Sequence, residues 1–433
     1  MPAWNPERTH EMTDKRFLFL EPLDFTFFRT PRPFFAAEVL TAQGTFPLPQ
    51  AIYGAIRSMI LLDPDHGCRE LETFGREGGC KSCAHVADCR IPGLMGTPDH
   101  HGSLGLKGPV LARRTDAGRL EAWFSAPRVL VRAGRDLDVL QPAQLPGNDP
   151  FSSREKDDLN LAIMVTPHGT EYDKPAGEDH LVSAGGLARI LKGQPPERDQ
   201  VKPLHELFRP EPRVGVALRM GTQGCERTVE PSHLYTVCCH RPAPETGFLV
   251  ELDGIEYKDM SWPAVTFLGG ERRAAAVHSR IDEAAWLPEP EVASHRLRLC
   301  LVTPAIFKNG WAPEWLVNAR GPSAGPVSLL ERFGGGTARV RLVSAVVGSP
   351  VAVGGFQMAL LRKKNGFPAQ RGPRPIRLAV PAGSTYDIEI LNGDTARIAA
   401  AISKQGISEQ EAEAGFGVTV AGHWEPVAIG GKS

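Results

Sequence analysis

Apolar residues crowd Phe17, Leu18, Phe19 and Leu20 and return at Phe25, Phe27 and Phe28, a density that predicts a buried strand. The following stretch, Arg29 to Leu48, holds Arg29, Pro31, Arg32, Pro33, Phe34 and Phe35 without a core-packing period. Loops of that length are usually functional or disordered. At Pro49 the period changes: Ile52, Tyr53, Ile56, Met59 and Ile60 recur at helical spacing behind a proline suited to a first turn. Strand, basic aromatic loop and helix form the organising unit.

Farther on, Leu104, Leu106, Val110 and Leu111 predict a strand running through Lys107-Gly108-Pro109, and Leu120 to Val131 reads as another. Between Pro142 and Asp179 no apolar period is sustained, and the reading is loop with a short helix. Leu187, Ile190 and Leu191 then give helical spacing that stops at Gly193. Arg213 to Leu218, Leu234 to Cys239 and Phe248 to Leu252 read as antiparallel strands, and Val265 to Leu268 as a short one feeding Gly269, Gly270, Glu271, Arg272 and Arg273. Leu297, Leu299 and Leu301, followed by Pro304, Phe307, Lys308 and Trp311, restart the opening pattern and point to a duplicated unit. Gly415 to Val420 reads as a closing, glycine-marked strand.

Composition changes this picture in three ways. A length of 433 residues exceeds what one core normally serves, so two domains or one duplicated fold is expected. The formal net charge of -1 gives no whole-molecule attraction to nucleic acid, so any polyanion site must come from local clustering. No long apolar run lacks glycine and proline breaks, which argues against a membrane span, and the N-terminus has no secretory pattern. The expected location is cytoplasmic, where eight cysteines are more apt to bind metal than to pair as disulfides.

Charge does cluster. Arg332 to Tyr386 contains no Asp or Glu but holds Arg339, Arg341, Arg362, Lys363, Lys364, Arg371, Arg374 and Arg377. Such a strip can neutralise phosphates; the plain alternative is a solvated basic face or a docking surface for an acidic protein. Arg29 and Arg32, in a proline-stiffened loop, suit bidentate phosphate contacts, whereas the phenylalanines beside them read as core. Cys68, Cys80, Cys83 and Cys89 spell C-x11-C-x2-C-x5-C, a set able to meet the tetrahedral demand of structural zinc. An iron–sulfur cluster, free thiols, or partial ligation with His66 or His85 are the other readings. Cys225, Cys238, Cys239 and Cys300 lie in or beside strand-like runs and read as core. No G-x-x-x-x-G-K-[ST], H-E-x-x-H or G-x-S-x-G signature is present, and the adjacent His100 and His101 could act as acid and base or simply be surface.

Several stretches together carry a resemblance: Pro22-Leu23-Asp24 with Phe28-Arg29, Phe46-Pro47-Leu48-Pro49 leading to Gly54 and Arg57, Lys107-Gly108-Pro109, Arg213-Val214-Gly215, the run Phe267 to Arg273, Thr303-Pro304-Ala305-Ile306-Phe307 with Gly310-Trp311, Val380-Pro381-Ala382-Gly383-Ser384, and Gly415-Phe416-Gly417. In that order they are similar to the third-subunit family of type III-B (Cmr) CRISPR effector complexes, RAMP-superfamily proteins. The resemblance implies an α+β chain of two ferredoxin-like (RRM-like) modules with long insertions and glycine-rich loops. These would span residues 13–290, with a four-cysteine insertion at about 63–92, and residues 291–433. It further implies a non-catalytic subunit of an antiviral ribonucleoprotein that grips the repeat-derived 5′ handle of the guide RNA (crRNA) and docks on the large polymerase-like subunit beside RAMP backbone subunits. Residues suited to that grip are Arg29, Arg32, Arg57, Gly269, Gly270, Arg272, Arg273 and Lys308, with Arg362, Lys363, Lys364, Arg371, Arg374 and Arg377 of the acid-free strip. Since other RAMP proteins cleave precursor RNA with a histidine, the alternative is a metal-independent endonuclease using His100 or His101. Zinc at Cys68, Cys80, Cys83 and Cys89 is expected from this sequence alone.

Overall fold

Residues Leu18 and Leu20 point to one face of the opening strand and Phe19 to the other, and all three are fully buried, so the strand must lie in the middle of a sheet covered on both sides. The computed structural model describes residues 16–31, 42–43, 45–71, 74, 80, 83–85, 87–96, 102–144, 162–167, 174–175, 179–220, 227–255, 260–269, 271–279, 281, 284–317, 338–357 and 372–428. It is a mixed α+β chain, built mainly of antiparallel sheets with few helices.

The larger sheet contains β1 (Arg16–Pro22), β2 (Gly105–Arg114), β3 (Leu120–Ser125), β4 (His180–Ser183) and β5 (Val201–Pro203). A long hairpin, β6 (Phe208–Met220) and β7 (Arg227–Pro242), leaves it and returns as β8 (Thr246–Asp253), and the sheet is completed by β9 (Val265–Leu268) and β10 (Arg273–His278). Its order is β5-β4-β3-β2-β8-β1-β10-β9, antiparallel along that path, with Ala284–Ala285 added in parallel on β3. Helix α1 (Pro49–Leu61) lays Ile52, Tyr53, Ile56, Met59 and Ile60 on one face of this sheet, against Leu18, Leu20, Leu111, Phe248 and Val250. Proline at its first turn leaves no backbone donor wasted, and its one glycine, Gly54, faces solvent. Full burial of each isoleucine contributes roughly 1.5–3 kcal/mol. The opposite face receives α2 (Ala184–Leu191), whose entry is capped by the Ser183 hydroxyl accepting from the Gly186 N–H.

A second, four-stranded sheet follows: β11 (Arg296–Leu301), β12 (Arg339–Val346), β15 (Thr385–Asn392) and β16 (Thr419–Gly422), in the order β12-β15-β11-β16 and wholly antiparallel. A two-stranded ribbon, β13 (Val351–Val353) and β14 (Arg377–Ala379), lies between β12 and β15 in sequence. Helix α3 (Thr395–Gln405), capped by the Asp394 carboxylate, packs Ile398 and Ile402 onto this sheet. The two sheets share a pattern. Numbering β1, β2, β8 and β10 by appearance gives the neighbour order fourth, first, third, second; β11, β12, β15 and β16 give the same order. Cys300 and Val420 of the second sheet, with Val302 and Val418 just beyond the ends of their strands, join the core on the far face of the first, which locks the two together.

Three expectations need correction. Between 142 and 179 the described residues add short strands, Gln141–Gln144, Met164–Val165 and Lys174–Pro175, to the expected loop, while 145–161, 168–173 and 176–178, and with them the expected short helix, lie outside the described residues. The run Leu120 to Val131 is two strands, because the chain turns at Pro127 and resumes at Leu130–Ala133. The closing strand begins only at Thr419: Gly415 and Gly417 sit at φ 98° and 71°, so the glycines make a tight turn rather than a strand. Gly415 is required there, since a Cβ would stand 2.4 Å from the Gly108 carbonyl oxygen. No helix among the described residues is long and apolar enough to cross a membrane.

Candidate nucleic-acid interface

After β1 the chain becomes a strap over residues 23–31, pinned at both sides. Its Leu23 N–H donates to the Ala274 carbonyl (3.0 Å), and Thr26 exchanges backbone hydrogen bonds with His240 in β7 (2.7 and 2.9 Å). Phe27 and Phe28 are buried, as the phenylalanine reading expected. Phe25 is buried too, but between charges: the Arg213 guanidinium lies 3.6 Å and that of Arg273 3.9 Å from its ring centroid. The ring itself is buried, and both guanidiniums lie within cation–π range of its faces.

Carboxylates orient Arg213 and its neighbour Arg241. Glu211 accepts from Arg213 Nε (2.8 Å) and Nη2 (2.5 Å) and from both Arg241 Nε and Nη2, while Arg241 Nη1 stands 2.8 Å from Asp24 of the strap. The Arg241 hydrogen bonds, with Arg213 beside them, bring the Glu211 carboxyl down to about 2. For Asp24, desolvation pushes upward but is outweighed by the Phe25 N–H and Arg241, so its carboxyl is also lowered. Both carboxylates therefore stabilise the strap–hairpin junction fully above their ordinary range, and the contribution is lost as pH falls, for Glu211 between about 4.5 and about 2. Protection of the Thr26 and His240 amides, measured relative to the β1 amides, is expected to hold at pH 6 and to fall across that acid window; a pH-independent ratio would contradict it.

The turn between β9 and β10 meets this strap. Gly269, at φ 68°, would place a Cβ 2.6 Å from the Phe27 carbonyl oxygen, so only glycine lets the turn come this close. The turn closes by Arg272 N–H to Gly269 O at 3.2 Å and holds Arg272 at φ 50°, exposed, its guanidinium 5.2 Å from the ring of exposed Phe267. Arg29 is exposed at the end of the strap. Arg29 and Arg272 hold no ion pair among the described residues.

A second group of expected residues lies beyond Pro31, which packs against Gly354 of the β13 turn, where Gln50 of α1 donates to the Gly354 carbonyl (2.6 Å). Arg374 N–H donates to Gly355 O (2.8 Å), and its side chain reaches Glu411 at 3.8 Å. Arg377 is more fully engaged, donating to Glu411 (3.1 Å) and Gln410 (3.2 Å). Arg57, half-buried, lies 5.7 Å from the ring of Tyr53. Lys308 is exposed and 3.5 Å from Glu314, while its N–H donates to Glu409 (2.7 Å). Residues 409–411 thus tie Lys308 to Arg377 and Arg374.

The fold alters the meaning of the acid-free strip. Glu411, far outside it in sequence, faces Arg374 and Arg377, and Glu389 pairs with Arg341 and with His295 (3.1 Å). Its described arginines are thus partly compensated. Arg32, Gly270, Arg362, Lys363, Lys364 and Arg371, like His100 and His101, lie outside the described residues. Sequence reasoning misses Arg213 and Arg241 as members of the site: they alternate with polar neighbours as in any solvated hairpin, and only the register of β6 on β7, with Glu211 opposite Cys239 and Arg213 opposite Val237, sets Arg241 and Arg213 around one glutamate. Cys239 and Cys300 are buried, as expected, whereas Cys238 is only half-buried.

Among solved structures, the chain is similar to one titled "Cryo-EM structure of the Type III-B Cmr-beta bound to cognate target RNA and AMPPnP, state 1", at 16% identity, covering 86% of each chain, with a TM-score of 0.41. A second, the type III-B Cmr-beta bound to cognate target RNA, matches at 14% identity over 86% of each chain with a TM-score of 0.37. No curated protein matches the sequence. The family model described as "CRISPR-associated protein (Cas_Cmr3)" matches residues 18–424, nearly the whole chain. The chain therefore belongs to the Cas_Cmr3 family of CRISPR-associated proteins, the family its ordered motifs resemble.

Proposed function

We propose that this protein is a non-catalytic, RNA-binding subunit of a type III-B CRISPR effector complex, holding the 5′ repeat-derived handle of the guide RNA and docking on the large polymerase-like subunit beside the RAMP backbone subunits. Family membership supports the complex. The observation that carries RNA binding is the pinned strap, which sets Arg29 at its end and, through the Gly269 turn, the exposed Arg272 and Phe267. A fixed handle has splayed bases and a phosphate backbone, and the exposed Phe267 ring, with the Arg272 guanidinium beside it, offers a partner for each. We read each fourth-first-third-second sheet as a ferredoxin-like module, the first within 13–290 and the second within 291–433.

Replacing Arg29 or Arg272 with alanine is expected to weaken retention of handle RNA and to flatten the salt dependence of binding by about 0.7 in log–log slope for each phosphate no longer neutralised. Binding of purified protein to labelled handle RNA across a salt series checks this. Unchanged slopes in both variants would remove these residues from the interface. Incubation with repeat-containing precursor RNA tests the absence of catalysis, because the endonuclease reading requires cleavage above background that His100→Ala or His101→Ala abolishes.

A further inference from the structure

The cysteine insertion is not used by the RNA-binding reading, and its geometry is organised. Cys68, Cys80, Cys83 and Cys89 line one small cavity closed on its apolar side by Phe74, Ile91 and Pro92. None of the four is in a disulfide. Two of the sulfurs accept backbone N–H groups from two residues ahead: Cys83 from His85 (3.4 Å), and Cys68 from Glu70. Both sulfurs belong to the lining of the cavity, where a ligand must stand. The two turns are also joined, because the Glu70 carboxylate accepts the Ala84 N–H at 3.1 Å.

We propose that these four cysteines form a structural zinc site that fastens the insertion between α1 and the following helix, Ile91–Met95. Zinc fits the donor set: four soft sulfur ligands, no open position for substrate, and a segment with little core of its own. The ends are prepared. Cys68 N–H donates to Leu61 O at the end of α1 (2.9 Å), and Cys68, Phe74 and Cys89 pack against the large-sheet core. Three sulfurs do not yet meet within 4.8 Å of one another, whereas sulfurs held tetrahedrally on zinc stand about 3.8 Å apart, so the cavity must contract when the ion enters. The one described trio of ligand atoms that close, Asp63, Asp65 and His66, is already committed, Asp63 accepting the N–H groups of Asp65 (2.8 Å), His66 (2.9 Å) and Ser261 (2.7 Å).

The test is elemental analysis of the freshly purified full chain under reducing conditions. One zinc per chain is expected, falling to none in the Cys80→Ser, Cys83→Ser double variant and unchanged in Cys238→Ser. Should the double variant fail to fold, wild-type protein titrated with a mercurial thiol reagent must release its zinc in step with modification of four thiols. A chain that contains no zinc and takes up none when offered it would overturn the proposal, as would iron with acid-labile sulfide in its place.

Discussion

Replacing Asp387 with alanine is expected to destabilise the protein by about 3–5 kcal/mol, the range for removing one partner of a buried ion pair. Arg298 is 0% exposed and donates to both oxygens of Asp387, from Nε at 2.7 Å and from Nη2 at 2.9 Å. The same guanidinium reaches the Leu140 carbonyl (2.9 Å) and Gln141 Oε1 (3.3 Å), and Ser344 Oγ donates to Asp387 at 2.8 Å. The pair therefore fastens three strands of the second sheet to the chain that follows Asp136–Val139. Without Asp387 the cation has no counter-charge and no water, which is why the loss exceeds that of an exposed pair by several-fold. The double variant Arg298→Met, Asp387→Leu is expected to recover part of the loss, since no charge is then stranded, although Leu140 and Ser344 lose their partners. Denaturant unfolding of the single and double variants gives the coupling directly; a double variant as unstable as the sum of the singles would argue that packing, not charge, dominates.

Phe25→Ala is expected to weaken RNA retention strongly although it changes no charge. Phenylalanine-to-alanine changes in cores cost about 3–5 kcal/mol. Here the ring belongs to a small cluster with Phe27, Cys239 and Val237, apart from the main cores, so the deficit falls on the strap and hairpin base as local opening more than global unfolding. Arg213 and Arg273 lose the face that aligns them, and the strap that presents Arg29 loses its anchor. Phe25→Leu, which keeps most of the volume, should retain most of the binding. The measurement pairs an RNA titration with a melting curve: loss of binding with a nearly unchanged main transition is the expected outcome, and wild-type affinity in Phe25→Ala at every salt concentration would detach the strap from RNA binding.

The contrast between these two devices explains what is legible in the chain. Strand β1 is readable because burial on both faces demands a dense apolar run, and helix α1 because burial on one face imposes a period of 3.6; both patterns survive in sequence. The family, too, is readable, from the order of short motifs rather than from any one of them. In the described parts of 142–179 the strands Met164–Val165 and Lys174–Pro175 go unread because two-residue strands carry no period. Gly415 and Gly417 are misread because a glycine at positive φ and a glycine in a strand look alike in sequence.

By itself, then, the sequence determined the apolar faces, the restart of the opening pattern near His295, the cysteine spacing and the presence of arginines in a stiff loop. Only the tertiary structure decided what each charge does. Arg298 looks like any alternating strand arginine until β15 brings Asp387 to it; Arg374 and Arg377 belong to an acid-free strip until the turn after α3 brings Glu411. Arg29 and Arg272 alone among the described expected arginines remain exposed and without a carboxylate or a buried ring. The reason is the range of the interactions: hydrophobic periodicity is written in neighbours along the chain, whereas the partner of a charge is chosen across strands that stand far apart in sequence.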